Sequence, residues 1–400
     1  MRKKLKVLVI TNLYPNNIEP NRGIFIRQQL KQLAPLCDIQ VIAPVPWVPL
    51  NVNLKIFSRW SLNRRIVYQE TIDGIGTYHP RWLVIPKIFR ASYGFFFFFA
   101  ILPEVLRLMK TFQFDVIDVQ WVYPDGFAST LLAKLTRKPV VIHALGCDIN
   151  LYTRFFLRRK LIVWCLKKAN GIVAVSNVLK DKIVSFGIES EKVQVIPNGI
   201  NEDSFRPMSR QECRNKLALP IDKKIVLFIG SLEEVKGVGC LLDAFSQLNK
   251  KYHGELCLVM VGQGSLEKQI NSEIKNLGLD KVVTLTGGVL HDEIPLWLNA
   301  CDVFCLPSIR EGMPNVILEA LACKKPVVAT RVGGIPEIIS SEEYGKLVPP
   351  NDPDALANAI QRVLGELEEG KLIGKKFTGL TWEDNAKQVF AQLQAVVNRK

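Results

Sequence analysis

The chain has 400 residues, 48% apolar and 22% charged, with nine cysteines and a formal net charge of +14 at pH 7. That balance excludes a disordered, a collagen-like and a disulfide-scaffold chain, and the length exceeds one ordinary domain of ~150 residues. Residues 1–200 hold 28 Lys+Arg against 12 Asp+Glu, a net of +16, and residues 201–400 hold 24 against 26, a net of −2, so the first half suits an anionic partner: nucleic acid, a phosphorylated substrate or a membrane surface.

The charged start, Met1–Lys6, runs into only four apolar residues, Val7–Ile10. A signal peptide needs a longer stretch, so a cytoplasmic protein is expected. Lys6–Thr11 reads as a buried strand, and Ile24–Leu33 repeats apolar residues at helical spacing. Ile39–Ala43 is the next strand. Phe95–Leu102 is the longest apolar run, eight residues ended by Pro103, well short of the ~18–20 that span a bilayer. It fits a core helix or a membrane-dipping patch. Val116–Val119, Val140–His143, Gly171–Val175 and Val193–Ile196 are further strands, with helical patterns between most of them. Arg154–Lys168 reads as a cationic, amphipathic helix, lying on a membrane surface or packed with a solvated basic face. This alternation predicts a parallel sheet covered on both faces.

A break follows Asn198-Gly199. Residues 201–224 are polar, contain Pro207 and Pro220, and read as a linker with one short helix. The alternation then restarts with strand Ile225–Ile229, helix Gly239–Leu248, strand Leu256–Val261, helix Leu266–Leu277 and strand Val282–Leu285. Strands Val303–Leu306 and Val327–Ala329 follow, with helix Val316–Cys323 between them. The fold class expected is α/β, two doubly wound Rossmann-like domains in tandem with a ligand in the cleft between them. The cysteine count is odd and no Cys-x-x-Cys occurs, so neither a disulfide framework nor a zinc ribbon is signalled.

The strongest constellation is Pro307-Ser308-Ile309-Arg310-Glu311-Gly312-Met313-Pro314-Asn315-Val316-Ile317-Leu318-Glu319. It follows a strand and opens a helix, whose free N–H groups attract anions. Gly312 allows a tight turn, and Pro314 suits the first helical turn. Glu311 stands before the helix and Glu319 about a turn and a half into it. Two carboxylates beside an anion site fit if they grip hydroxyls, as on a sugar or a ribose; a helix-cap acid and a surface acid are the plainer alternative. The second constellation is Phe228-Ile229-Gly230-Ser231-Leu232-Glu233-Glu234-Val235-Lys236-Gly237. A strand enters a glycine turn, and a lysine before the next helix can neutralise a diphosphate or stand solvated.

In this order and spacing, the two resemble the family 4 glycosyltransferases of the GT-B fold, whose signature is Glu-x7-Glu. Val175-Ser176, Ile196-Pro197-Asn198-Gly199-Ile200, Val261-Gly262-Gln263-Gly264, Val327–Thr330 and Gly333-Gly334-Ile335-Pro336-Glu337 look like further landmarks of that family, as do Arg22-Gly23 and Tyr123-Pro124-Asp125-Gly126. The resemblance covers almost the whole chain. It implies domains at residues 1–200, for the acceptor, and 201–380, for the nucleotide sugar, with the last helix, in 381–400, packing back on the first.

The resemblance also implies roles. Lys236 binds the donor diphosphate. Glu311 contacts the transferred sugar and Glu319 grips the ribose. Amides of Gly312, Met313 and Asn315 hold sugar and phosphate, Gly230 and Ser231 line the turn, and Gly23 lets the backbone approach the phosphates. Two departures stand out. Ser231 occupies the place of a common Arg, so one positive charge on the diphosphate is missing unless Lys236 suffices or Arg310 helps. Leu145 stands where a catalytic His is common; His143, two residues earlier and on the same strand face, partly serves or is a buried structural histidine.

Other patterns weigh less. Asp352-Pro353-Asp354 reads as a helix cap rather than a metal motif. Gly262-x-Gly264 lacks the third glycine of a dinucleotide site. His79, His143, His253 and His291 show no metal spacing. The expected activity is a retaining transfer of a sugar, hexosyl by class, from a nucleotide-diphosphate donor to a carbohydrate or lipid-linked acceptor in polysaccharide or glycolipid biosynthesis. No cofactor, no metal and no nucleic acid are expected, and the basic half is expected to meet an anionic membrane surface from the cytoplasmic face. A nucleotide-sugar epimerase of the same fold and a non-catalytic nucleotide-sugar-binding protein are the alternatives.

Overall fold

A computed structural model describes residues 4–47, 62–84, 90–369 and 379–399. They divide into two compact units, one of residues 1–199 with 382–400 and one of residues 200–381.

The first unit is built on strands β1 (Lys6–Ile10), β2 (Asp38–Ile42), β3 (Val45–Trp47), β4 (Gln69–Ile72), β5 (Ile75–Tyr78), β6 (Arg81–Leu83), β7 (Val116–Val119), β8 (Val140–Ala144), β9 (Gly171–Ala174) and β10 (Val193–Val195). Eight of them form one sheet in the order β10-β9-β8-β7-β1-β2-β5-β4, and β3 pairs with β6 apart from it. All pairs of the large sheet are parallel except the β4–β5 hairpin, whose turn holds Asp73 and Gly74 at positive φ. Strands such as Val116–Val119 are buried on both faces, which is why they read as unbroken apolar runs.

Among the described residues six helices fill the crossovers: α1 (Ile24–Leu33), α2 (Tyr93–Thr111), α3 (Phe127–Thr136), α4 (Cys147–Asn150), α5 (Phe156–Lys168) and α6 (Asn177–Val184). In α1, Ile26, Gln29, Leu30 and Leu33 make one buried stripe. The C-terminal helix Trp382–Asn398 lies against it, with Ala386, Val389, Leu393 and Val396 in the same core. Buried amides fix the match: Gln29 donates to Asn385 Oδ1 at 2.8 Å, and Asn385 donates to the Pro197 carbonyl at 2.7 Å.

Two ambiguous segments resolve. The five-phenylalanine run belongs to α2, which continues through Pro103; the ring costs that helix one backbone bond but does not end it. Phe97 and Ile101 are buried while Phe95 and Phe99 are exposed. In the basic segment, α5 starts only at Phe156, and its buried stripe is Arg158, Ile162, Cys165 and Leu166. The apolar Phe156 and Leu157 are exposed instead. Helical spacing from Ile162 carries the stripe back onto Arg158, so the expected clean division into basic and apolar faces fails at the helix start.

The second unit has strands β11 (Lys224–Ile229), β12 (Leu256–Val261), β13 (Val283–Gly287), β14 (Val303–Leu306), β15 (Val327–Thr330) and β16 (Gly345–Val348). They form one parallel sheet in the order β13-β12-β11-β14-β15-β16. Its helices are α7 (Arg210–Lys216), α8 (Val238–Tyr252), α9 (Glu267–Asn276), α10 (Ile294–Ala300), α11 (Asn315–Ala322), α12 (Ile335–Ile338) and α13 (Pro353–Glu368). Asp352 caps α13 by accepting from Ala355 N–H at 2.9 Å.

Residues 201–224 are not a solvated linker. Phe205 joins the core of the second unit, and Arg214 on α7 is 2% exposed. Its guanidinium donates to Asp302 and to the carbonyls of Ala300, Pro220, Ile221 and Lys223. A fully donated arginine paired with a carboxylate tolerates burial, which polarity along the sequence does not reveal.

Candidate active site

Counted within the second unit, the strand order is that of a doubly wound sheet reversing between β11 and β14. In such sheets ligands bind beyond the carboxyl ends of the strands at the reversal. The loop after β11 carries Gly230–Gly237, and the loop after β14 carries Pro307–Pro314. Backbone bonds tie the two together: Ile309 N–H donates to Val235 O at 2.8 Å. Gly237 has φ 66°, and a Cβ there would stand 2.0 Å from the Pro307 carbonyl oxygen. The glycine after Lys236 is thus what lets the loops touch. On the other side, Gly334 N–H donates to Gly312 O at 2.7 Å, and a Cβ on Gly333 would stand 2.2 Å from Glu311 O.

This close packing brings Lys236 and Glu311 together. Lys236 Nζ lies 2.6 Å from Glu311 Oε1, which also accepts from the buried Ser308 hydroxyl at 2.7 Å. Thr330 Oγ1 in turn donates to the Ser308 carbonyl. Glu319, 8% exposed on α11, has a separate partner: His291 Nε2 at 3.0 Å from its Oε1, with the Phe205 ring edge-on to the imidazole. Pro314 occupies the residue just before α11 rather than its first turn. Gly230, Arg310, Gly312, Met313 and Asn315 are half-buried around this pair of loops, and Ser231 is exposed. The cluster offers a cation beside a helix start and two carboxylates, each already hydrogen-bonded. That suits an anionic ligand bearing hydroxyls. Among the described residues no three His, Cys, Asp or Glu side chains form a metal-holding group.

The remaining expected residues lie in the first unit. Gly23 precedes α1 with φ 59°, and a Cβ there would stand 2.2 Å from the Leu13 carbonyl oxygen. Local packing alone therefore requires glycine. His143 is 2% exposed on β8, and its Nε2 is 2.8 Å from Asp118 Oδ1. Asp118 Oδ2 accepts from Gln120, which also donates to Gln29. His143 and Leu145 line a narrow cavity with Gln29, Gln120 and Trp382.

Two buried carboxylates organise the neighbouring loops. Asp148 accepts from the N–H groups of Leu145, Gly146, Ile149 and Val122, and burial pushes its pKa up to about 6 against those bonds. Asp125 accepts from the backbone and side-chain N–H groups of Asn12, and burial pushes it up to about 7. Asp125 thereby anchors the loop between β1 and α1.

A family model described as glycosyl transferases group 1 matches residues 209–376, and one described as glycosyltransferase family 4 matches residues 66–204. A glycosyltransferase of Methanocaldococcus jannaschii is 34% identical over 308 residues, 74% of this chain and 77% of its own. The chain belongs to glycosyltransferase family 4. A Bacillus subtilis glycosyltransferase named for teichuronic acid biosynthesis is 29% identical, covering 90% of this chain and 89% of its own length. The amylovoran biosynthesis glycosyltransferase AmsK of Erwinia amylovora is 26% identical over 90% of this chain and 92% of its own.

Solved structures agree on the fold, which is GT-B. Sucrose-phosphate synthase from Thermosynechococcus elongatus superposes with a TM-score of 0.81 at 21% identity, over 99% of this chain and 100% of its own. Anabaena HepE in complex with UDP-glucose superposes with a TM-score of 0.69 at 19% identity, over 99% and 98%.

In this glycosyltransferase, sequence reasoning passed over His291, Ser308 and Asp118. His291 shows no metal spacing in the sequence, and its partner is a carboxylate. Ser308 lies inside the signature segment, three residues before Glu311, and that proximity was its only signal. Asp118 sits within an apolar strand, where a lone acid asks for a buried partner.

Proposed function

We propose that this glycosyltransferase moves a sugar from a nucleoside-diphosphate sugar to a hydroxyl of a carbohydrate or lipid-linked acceptor, with retention of configuration and without a metal. The observation that carries it is the Lys236–Glu311–Ser308 cluster at the sheet reversal of the second unit. Lys236 leaves Glu311 to meet the diphosphate, with Arg310, Ser231 and the backbone of Gly230, Gly312, Met313 and Asn315 around it. Glu311 takes hydroxyls of the sugar, and Glu319 takes those of the ribose in place of His291. The bond from the anomeric carbon to the diphosphate breaks, and the acceptor oxygen bonds to that carbon from the same face. The acceptor proton passes to the departing phosphate oxygen. Lys236 and the start of α11 stabilise the developing charge.

The first unit takes the acceptor, with His143 held in place there by Asp118. HepE, solved with UDP-glucose, supports a nucleotide sugar. Relatives named for teichuronic acid and amylovoran biosynthesis support assembly of a polysaccharide; a hexose is the transferred class we propose. The +16 charge of residues 1–200 and the exposed Phe95, Phe99, Phe156 and Leu157 support work at an anionic membrane surface on the cytoplasmic side. Among the described residues no helix is long and apolar enough to cross a membrane.

A thermal-shift screen of nucleotide sugars tests the reading. At least one should raise Tm, as should its nucleoside diphosphate, while free sugars and dinucleotides should not. No response to any nucleotide sugar would contradict the donor site.

A further inference from the structure

The start of α5 is electrostatically one-sided. Arg158, Arg159 and Lys160 sit in its first turn and a half, Arg154 stands just before it, and the first turn has no acid. Cations at a helix N-terminus oppose the helix dipole. The helix also lacks a side-chain cap, and its first backbone bond is Arg159 N–H to Phe155 O. The N–H groups of Phe156, Leu157 and Arg158 thus have no acceptor among the described residues.

Arg158 is 8% exposed, yet no oxygen among the described residues accepts from its guanidinium. The group is held between rings, 4.1 Å from the Phe155 centroid and 5.1 Å from that of Tyr152. Ring faces hold the plane but leave the N–H edges unused. Burial lowers its pKa, and Arg90 nearby adds a like charge. The Tyr152 hydroxyl also has no partner among the described residues, and Trp121, at the end of β7, packs edge-on to the Tyr152 ring. Buried arginines are normally matched by a carboxylate, as Arg214 is by Asp302.

We propose that the start of α5, with Arg158 as anchor and Tyr152 beside it, binds a phosphate group carried by the acceptor. Three amides, a guanidinium edge and a hydroxyl outnumber the two oxygens of a carboxylate and suit a phosphate. The inference rests on the first unit taking the acceptor, and it leaves open whether that phosphate belongs to a lipid or to a soluble sugar.

The test uses the full chain in a Lys236→Ala background, so that inorganic phosphate is not drawn to the donor site. Calorimetry at constant ionic strength should show millimolar phosphate binding. Arg158→Met should weaken it at least ~10-fold, as loss of a charge-assisted contact does, and Arg158→Lys should recover part. Equal binding in all three overturns the proposal. Should the methionine variant not fold, phenylglyoxal labelling of the unmutated protein decides: phosphate, unlike chloride, must protect Arg158, and absence of protection overturns it. Glucose 1-phosphate and vesicles doped with a polyprenyl phosphate then separate the two sources, each read as Arg158-dependent binding. Nucleoside diphosphate binding by the unmutated protein is measured alongside; its failure would count against the donor site and not against Arg158.

Discussion

Removing Lys236 should do more than delete an attraction. Lys236 is the ion-pair partner of Glu311, with side chains 22% and 10% exposed. In Lys236→Ala the carboxylate loses its paired cation while keeping the Ser308 hydroxyl, and its charge then faces the diphosphate. Two unit charges 4 Å apart interact by ~4 kcal/mol at an effective dielectric of ~20. Solvent reaches Lys236, so about half that, ~2 kcal/mol, is a reasonable loss, or ~30-fold in nucleoside diphosphate affinity. Turnover should fall at least ~10²-fold, since the same charge is needed by the leaving group. The distinctive outcome is in the double variant. Lys236→Ala with Glu311→Ala should regain at least ~5-fold of the lost affinity, because the uncompensated carboxylate is gone. Calorimetry with UDP, GDP and ADP on the four proteins of the cycle measures this. Additive losses, with the double variant binding no better than Lys236→Ala, would refute the pairing argument.

Other outcomes follow from the same geometry. Glu319→Ala should weaken nucleoside diphosphate binding, whereas Glu311→Ala should leave it nearly intact and damage transfer; calorimetry showing the reverse would exchange their roles. Burial raises the Asp125 pKa from 3.8 to about 7, so its contribution to folding is intact below about pH 4 and is lost as pH rises through 7. Asp125→Asn should therefore gain on the unmutated protein between pH 4 and 8, by ~4 kcal/mol at most from 1.36 kcal/mol per unit; denaturant titrations giving a pH-independent difference would argue against a buried neutral carboxyl. The first unit should bind anionic liposomes in a way that salt weakens, since such attraction is screened beyond ~8 Å at physiological ionic strength. Equal partitioning to neutral liposomes at every salt concentration would remove the electrostatic argument.

The sheet strands were legible because parallel strands are buried on both faces and write continuous apolar runs, as Leu256–Val261 does. The hairpin β4–β5 and the edge strand β16 were not: each strand is short and mixed in character, β4 with no buried residue and β5 and β16 each broken by a half-buried position. Residues 201–224 misled because Arg214 is a polar residue whose burial depends on a partner 88 residues away. The start of α5 misled for a related reason: periodicity assigns Arg158 to the buried stripe, but residue type assigns it to solvent.

The candidate site was legible as far as local sequence carries it. Lys236 and Glu311 stand in the loops that follow two strands and Glu319 on the helix after one of them, where spacing and turn chemistry speak. Their partners did not show. The Lys236–Glu311 contact spans 75 residues and the His291–Glu319 contact 28, and both depend on loops from different strands meeting. Gly23 shows the opposite case. The sequence suggests a ligand-facing glycine, and the structure supplies a packing reason that stands without any ligand.

The most direct test of the account is to incubate the protein with a stabilising nucleotide sugar, labelled at the anomeric carbon, and a membrane extract as acceptor, and to follow the label by NMR. The account predicts release of nucleoside diphosphate and a new glycoside with the donor's anomeric configuration, both lost in Lys236→Ala. An epimerised donor without transfer, or a bound donor that never turns over, would contradict it.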